Sequence, residues 1–126
     1  MIRGGNATIY VSDLDRAVRF YTQDLGLTLV FQAGGHWAQL DTGGFQIGLH
    51  PKTDQSPSPG TPGAITVGFL LDAPIDGVVA MLKQRGVAFH GPIIDDAKGS
   101  IRLAFFADPD GNPLYLCEKK QMESWK

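Results

Sequence analysis

The chain predicts an α+β fold built from two tandem βαβββ modules, and three features of the sequence lead there. Short runs in which apolar residues alternate with others are separated by glycine- and proline-containing turns. Two stretches instead carry apolar residues at helical spacing. The halves also match when shifted by 60 residues: Val11 falls on Leu71, Val18 on Val78, Tyr21 on Met81, Gly26 on Gly86 and Leu27 on Val87.

Module one covers about residues 4–50. "ATIYV" is strand-like, and "SDLDRAVRFYTQDLG" offers Ser12 or Asp13 as helix N-cap and Gly26 as the stop. Leu14, Ala17, Val18, Tyr21 and Leu25 mark its apolar face. "LTLVFQA", "HWAQLD" and "FQIGLH" follow as strands, the last two joined through "TGG". A short turn there pairs Leu40 with Phe45, Gln39 with Gln46 and Trp37 with Gly48. "PKTDQSPSPGTPG", residues 51–63, holds four of the eight prolines and reads as an exposed linker. Module two covers about 64–119: strand "AITVGFLLD", helix "APIDGVVAMLKQRG", strand "VAFHGP", a loop at "IDDAKGS", then strands "IRLAFFA" and "PLYLCE". The polar tail "KQMESWK" is expected to fray. About 50 residues bury too little surface to be stable alone, so the whole chain is expected to act as one domain, 1–126.

Composition narrows the function. A formal charge of −2 and a pI near 5.8 leave no basic footprint for nucleic acid. No block of like charge addresses a membrane surface, and no apolar run approaches the roughly 20 residues needed to span a bilayer. Cys117 is the single cysteine, and "MIRGGNATIY" lacks the apolar segment of a signal peptide, so a cytoplasmic protein is expected.

Strand parity then separates two faces. Ala7, Ile9, Val11, Ala38, Leu40, Phe45, Ile47 and Leu49 belong to an apolar face, leaving Asn6, Thr8, Tyr10, Trp37, Gln39, Gln46 and His50 on the other. In module two, Thr66 and Gly68 oppose Ile65, Val67 and Phe69, and Tyr115 opposes Leu114 and Leu116. An ordinary wet sheet face carries Lys and Glu; these carry amides, aromatics and glycines, which suits a semi-enclosed pocket.

"VSDLDRAVRFYTQDLGL", "WAQLDTGGFQIGLHP" and "FFADPDGNPLYLCE" together resemble the vicinal-oxygen-chelate superfamily over about residues 4–119. That group includes glyoxalase I, bleomycin-resistance proteins, extradiol dioxygenases, fosfomycin-resistance transferases and methylmalonyl-CoA epimerases. The resemblance implies that the βαβββ modules form a concave half-barrel sheet and that the protein is a homodimer. It also implies, in metal-using members, a divalent ion held by His, Glu or Gln from the first and last strand of each module. Those slots fall here on Asn6, Gly48, Thr66 and Tyr115. Divalent transition metals want imidazole, thiolate or carboxylate, so no metal and no cofactor is expected.

The expected function is therefore metal-independent binding of a small molecule, in the manner of bleomycin-resistance proteins, sequestering a drug or metabolite. The pocket would use Asn6, Thr8, Tyr10, Trp37, Gln39, Gln46, His50, Thr66, Arg102 and Tyr115. The alternative is a metal-dependent lyase, isomerase or dioxygenase of the same superfamily. A metal-free enzyme would need an acid–base group, for which His50 is the best candidate. Arg102 could bind a carboxylate or phosphate, although an arginine near a strand start more often serves a structural ion pair.

Overall fold

The computed structural model describes residues 1, 6–61, 64–96 and 99–119. Chain contacts define two units, Met1–Ile65 with Asp108–Asn112, and Thr66–Ala107 with Pro113–Lys126. Each carries strand, helix and three strands in that order, as the 60-residue repeat requires. The tail "KQMESWK" lies outside the described residues.

In the first unit, β1 (Asn6–Val11) leads into α1 (Leu14–Arg19), followed by β2 (Thr28–Ala33), β3 (Trp37–Asp41) and β4 (Gln46–Pro51). The sheet order is β1-β4-β3-β2, with β1 parallel to β4 and the other pairs antiparallel. Asp13 caps α1 by accepting from the Arg16 amide at 3.0 Å. The helix does not run regularly to Gly26. Phe20–Asp24 form a π-helical turn, and Leu25 N donates to Phe20 O at 3.1 Å before Gly26 turns away at φ +81°. The helix packs on β3 and β4. Ile9, Val11, Leu40, Ile47 and Leu49 are wholly buried, together with Tyr21 of the π-turn. Each such aliphatic side chain stabilises the fold by about 1.5–3 kcal/mol.

The β3–β4 register differs from the one expected. Leu40 pairs with Ile47, Gln39 with Gly48 and Asp41 with Gln46. The connection is a four-residue loop, Thr42–Phe45, because two side chains hold it open. Thr42 Oγ1 accepts from the amides of Gly44 and Phe45, while Asp41 Oδ1 accepts from Gly43 N. The shift is two residues, so every side chain keeps its face. Phe45 itself leaves the core and is 39% exposed in the loop.

In the second unit, β5 (Val67–Leu70), α2 (Ile75–Gln84), β6 (Ile94–Asp95), β7 (Ile101–Ala107) and β8 (Pro113–Lys119) repeat the topology, with sheet order β5-β8-β7-β6. The strand expected at "VAFHGP" is only a single bridge, Phe89 to Phe106. Gly91 (φ +80°) and Pro92 break the ladder, and pairing resumes two residues later as β6, inside the segment expected to be loop.

The turn "DPDGN" is more than a hairpin connection. Asp108 is 5% exposed, and its carboxylate accepts four hydrogen bonds: from the Asp110 and Asn112 amides, from Asn112 Nδ2 and from the Tyr21 hydroxyl at 2.9 Å. Asn112 Nδ2 also donates to Tyr10 O, and its Oδ1 accepts from Gly60 N. Asp110 accepts from both the amide and the hydroxyl of Ser12, and from Arg16. The proline-rich segment is thus not a free linker. It is pinned at Gly60, whose φ of +83° and contact with Asp110 O admit no side chain.

An uncompensated buried carboxylate would cost several kcal/mol, so four donors are what make Asp108 tolerable. Burial, reinforced by the Asp108 charge, pushes the Tyr21 phenol well above its ordinary value. Tyr21→Phe should lower stability by about 1.5–3 kcal/mol in urea titrations, the usual worth of a hydrogen bond to a charged group. Because the folded phenol titrates above the unfolded one, wild-type stability should be complete below about pH 10 and fall as pH rises toward the folded value. Tyr21→Phe should remove that part of the alkaline loss. An unchanged urea midpoint would contradict this account of the turn.

Candidate ligand-binding site

The face of the first sheet turned away from α1 gathers seven of the expected site residues: Asn6, Thr8 and Tyr10 on β1, Trp37 and Gln39 on β3, Gln46 and His50 on β4. β1 pairs with β4 so that Asn6 stands opposite Gln46, Thr8 opposite Gly48 and Tyr10 opposite His50. Gly48 is the centre of this surface. A Cβ built there would lie 2.0 Å from the Trp37 ring, so the indole lies directly on the glycine backbone. Trp37 then meets His50 edge-on at 6.2 Å between centroids, and Tyr10 meets His50 at 5.6 Å. His50 Nδ1 is 2.6 Å from Pro51 O. A carbonyl can only accept, so Nδ1 carries a proton, and in the neutral form of the ring the lone pair lies on Nε2.

Beside the rings runs a row of amides. Gln39 Oε1 accepts from Trp37 Nε1 at 3.0 Å and from Asn6 Nδ2 at 3.5 Å, and Gln39 Nε2 donates to Gln46 Oε1. Asn6, Gln39 and Gln46 line an open depression of about 560 Å³, completed by Asp41, Gly43, Gly44 and Phe45. These last four were not among the expected site residues. Parity could have placed Asp41, which shares its face with Trp37 and Gln39, whereas the loop residues depend on the four-residue turn.

Thr66, Arg102 and Tyr115 belong to the second unit. Tyr115 repeats the arrangement of Trp37: a Cβ on Gly68 would lie 2.2 Å from its ring, and Phe105 flanks it at 5.9 Å. Thr66 is exposed immediately before β5. Arg102 does not share the Tyr115 face. It stands opposite Glu118, with the parity of buried Ala104 and Phe106, and bonds Asp95 and α2 residue Asp76 at 2.7 and 2.6 Å. Those two carboxylates raise the guanidinium pKa, the Asp76 hydrogen bond contributing most. Its Nε and Nη1 groups are thus engaged in ion pairs on the face opposite Tyr115. Cys117 shares the Tyr115 parity but is buried, which pushes its thiol up and away from reactivity.

The four slots that the resemblance implies, Asn6, Gly48, Thr66 and Tyr115, carry no imidazole, thiolate or carboxylate. Asn6 is engaged with Gln39, the place of any Gly48 side chain is filled by indole, and the Tyr115 ring is laid on Gly68. Among the described residues no three His, Cys, Asp or Glu side chains cluster to hold an ion.

The model of the glyoxalase/bleomycin resistance protein/dioxygenase superfamily matches residues 5–116. The chain belongs to that superfamily. Over 113 residues it is 34% identical to "Virulence protein STM3117" of Salmonella typhimurium, covering 86% of this chain and 78% of that protein. A superfamily member from Sphaerobacter thermophilus superposes with a TM-score of 0.79 at 28% identity, over 94% of this chain and 98% of that one. TnmS3, an antibiotic-binding protein from a Streptomyces species, superposes with a TM-score of 0.75 at 29% identity, over 95% and 98% of the two chains.

Gly48→Ala tests the ring-on-backbone contact, since no backbone strain accompanies it. The methyl must displace the indole, so stability should fall by about 1–3 kcal/mol, with a shift in Trp37 emission. Unchanged emission and stability would show that the ring does not rest there.

Proposed function

We propose that this member of the superfamily is a metal-independent small-molecule binder that holds a planar aromatic compound against Trp37 and sequesters it. The observation that carries the reading is the aromatic surface of Trp37 on Gly48, edged by His50 and by the amide row, at a position where the family resemblance would put a chelating side chain. Such a surface offers apolar contact with a few oriented hydrogen bonds, which is the composition of a ligand site rather than of a wet sheet face. The antibiotic-binding description of TnmS3, at 29% identity, supports the same reading. Sequestration needs no bond to be made or broken. If chemistry does occur, His50 Nε2 is the group placed to accept a proton.

We place this activity in a cytoplasmic homodimer. β2 supports the dimer, since Leu29, Val30 and Phe31 are 40%, 54% and 57% exposed on an edge strand, a surface poorly suited to water. Sedimentation as a monomer would remove that part of the proposal.

The binding test uses Trp125→Phe protein, so that Trp37 is the sole tryptophan. Planar heteroaromatic compounds should quench its emission saturably, and Trp37→Leu should weaken binding measured by calorimetry about tenfold or more, the loss of roughly one aromatic contact set. Emission indifferent to every such compound up to millimolar concentration would contradict the proposal.

A further inference from the structure

The hydrogen-bonding polarity of the amide row is set by one atom. An amide side chain can usually be turned end for end, exchanging donor and acceptor. The indole N–H cannot, because it only donates. Trp37 Nε1–H therefore requires Gln39 to present Oε1. Gln39 Nε2 is then the donor toward Gln46, so Gln46 must present Oε1 and turn its own NH₂ outward. Asn6, bonded to the same Gln39 oxygen, must present Nδ2 and turn its carbonyl outward. Among the described residues nothing accepts from Gln46 Nε2.

Asn6 and Gln46 are direct partners on adjacent parallel strands, and both line the depression. The site therefore offers one outward donor, Gln46 Nε2, beside one outward acceptor, Asn6 Oδ1. Asp41, also in the lining, adds a negative charge, and no Lys, Arg or His lines the depression among the described residues. A carboxylate or phosphate would meet that charge without a cationic partner. A neutral lactam or imide edge would meet a donor and an acceptor in the order it needs.

Resting on the binding role proposed above, we infer that the ligand is a neutral planar heterocycle carrying an adjacent C=O and N–H. Its carbonyl accepts from Gln46 Nε2, its N–H donates to Asn6 Oδ1, and Trp37 is the positioning residue that fixes this polarity.

Three probes of nearly one shape test the inference by calorimetry: 2-quinolone with both groups, N-methyl-2-quinolone without the donor, and naphthalene with neither donor nor acceptor. 2-Quinolone should bind about tenfold or more tighter than either relative, the worth of one to two oriented hydrogen bonds. Gln46→Glu keeps the acceptor for Gln39 but removes the outward donor. It should lower the affinity for 2-quinolone relative to naphthalene by about tenfold. Trp37→Phe keeps a ring but frees Gln39 to turn, so the preference for 2-quinolone over its N-methyl relative should collapse, whatever the loss of affinity common to all three probes. Circular dichroism and Tm confirm that each variant is folded. Equal affinity for all three probes, or a Gln46→Glu protein that binds 2-quinolone as wild type does, overturns the inference and leaves the aromatic-surface reading standing. No binding of any probe overturns both.

Discussion

The absence of a side chain at Gly48 is the constraint on which the candidate site depends. It lets the Trp37 ring come down onto the sheet backbone, closer than any residue with a Cβ would permit. That position brings the indole N–H within 3.0 Å of Gln39, and through Gln39 it orders Asn6 and Gln46. It also sets the ring edge-on to His50. A carboxylate at position 48 would remove this surface by occupying the same space. The indole and a side chain at position 48 are thus alternatives for one location, and in this chain the indole fills it. In the second unit a ring likewise lies on a glycine backbone, Tyr115 on Gly68.

A second constraint lies in the Asp108 carboxylate. Its four hydrogen bonds tie Tyr21, from the π-turn after α1, to a turn that follows β7 in sequence. Asn112 extends the network to the backbone of Tyr10 and to Gly60. β1 is therefore held at one end by the turn and along its length by β4, which fixes the strand bearing Asn6, Thr8 and Tyr10. Candidate site and stability meet in that strand: Ile9 and Val11 fill the core, and Asn6, Thr8 and Tyr10 lie on the opposite face.

The alternation of apolar residues made most of this legible beforehand. Parity assigned Asn6, Trp37, Gln39, Gln46 and His50 to one face, and a two-residue slip in the β3–β4 register left that assignment intact because side-chain direction repeats every two residues. The slip itself was not legible. It arises from Asp41 and Thr42 side chains bonding loop amides, and so competes with the shorter turn that glycines alone suggest. Arg102 lies by parity along β7 with Ala104 and Phe106 and pairs with Asp76 and Asp95, the ion-pair role that an arginine near a strand start more often takes. The role of "DPDGN" was hidden because its partners Ser12, Tyr21 and Gly60 lie far away in sequence, and no local pattern announces such pairing.

In the proposed binder, an aromatic and amide surface stands where the family resemblance would put metal ligands. Elemental analysis of the purified, desalted protein tests it most directly, before and after soaking with Ni²⁺, Zn²⁺, Mn²⁺ and Fe²⁺. Asn6, Gly48, Thr66 and Tyr115 offer no imidazole, thiolate or carboxylate, so retention well below one equivalent per chain is predicted for every ion. One equivalent of any of them, retained through desalting, would contradict the account.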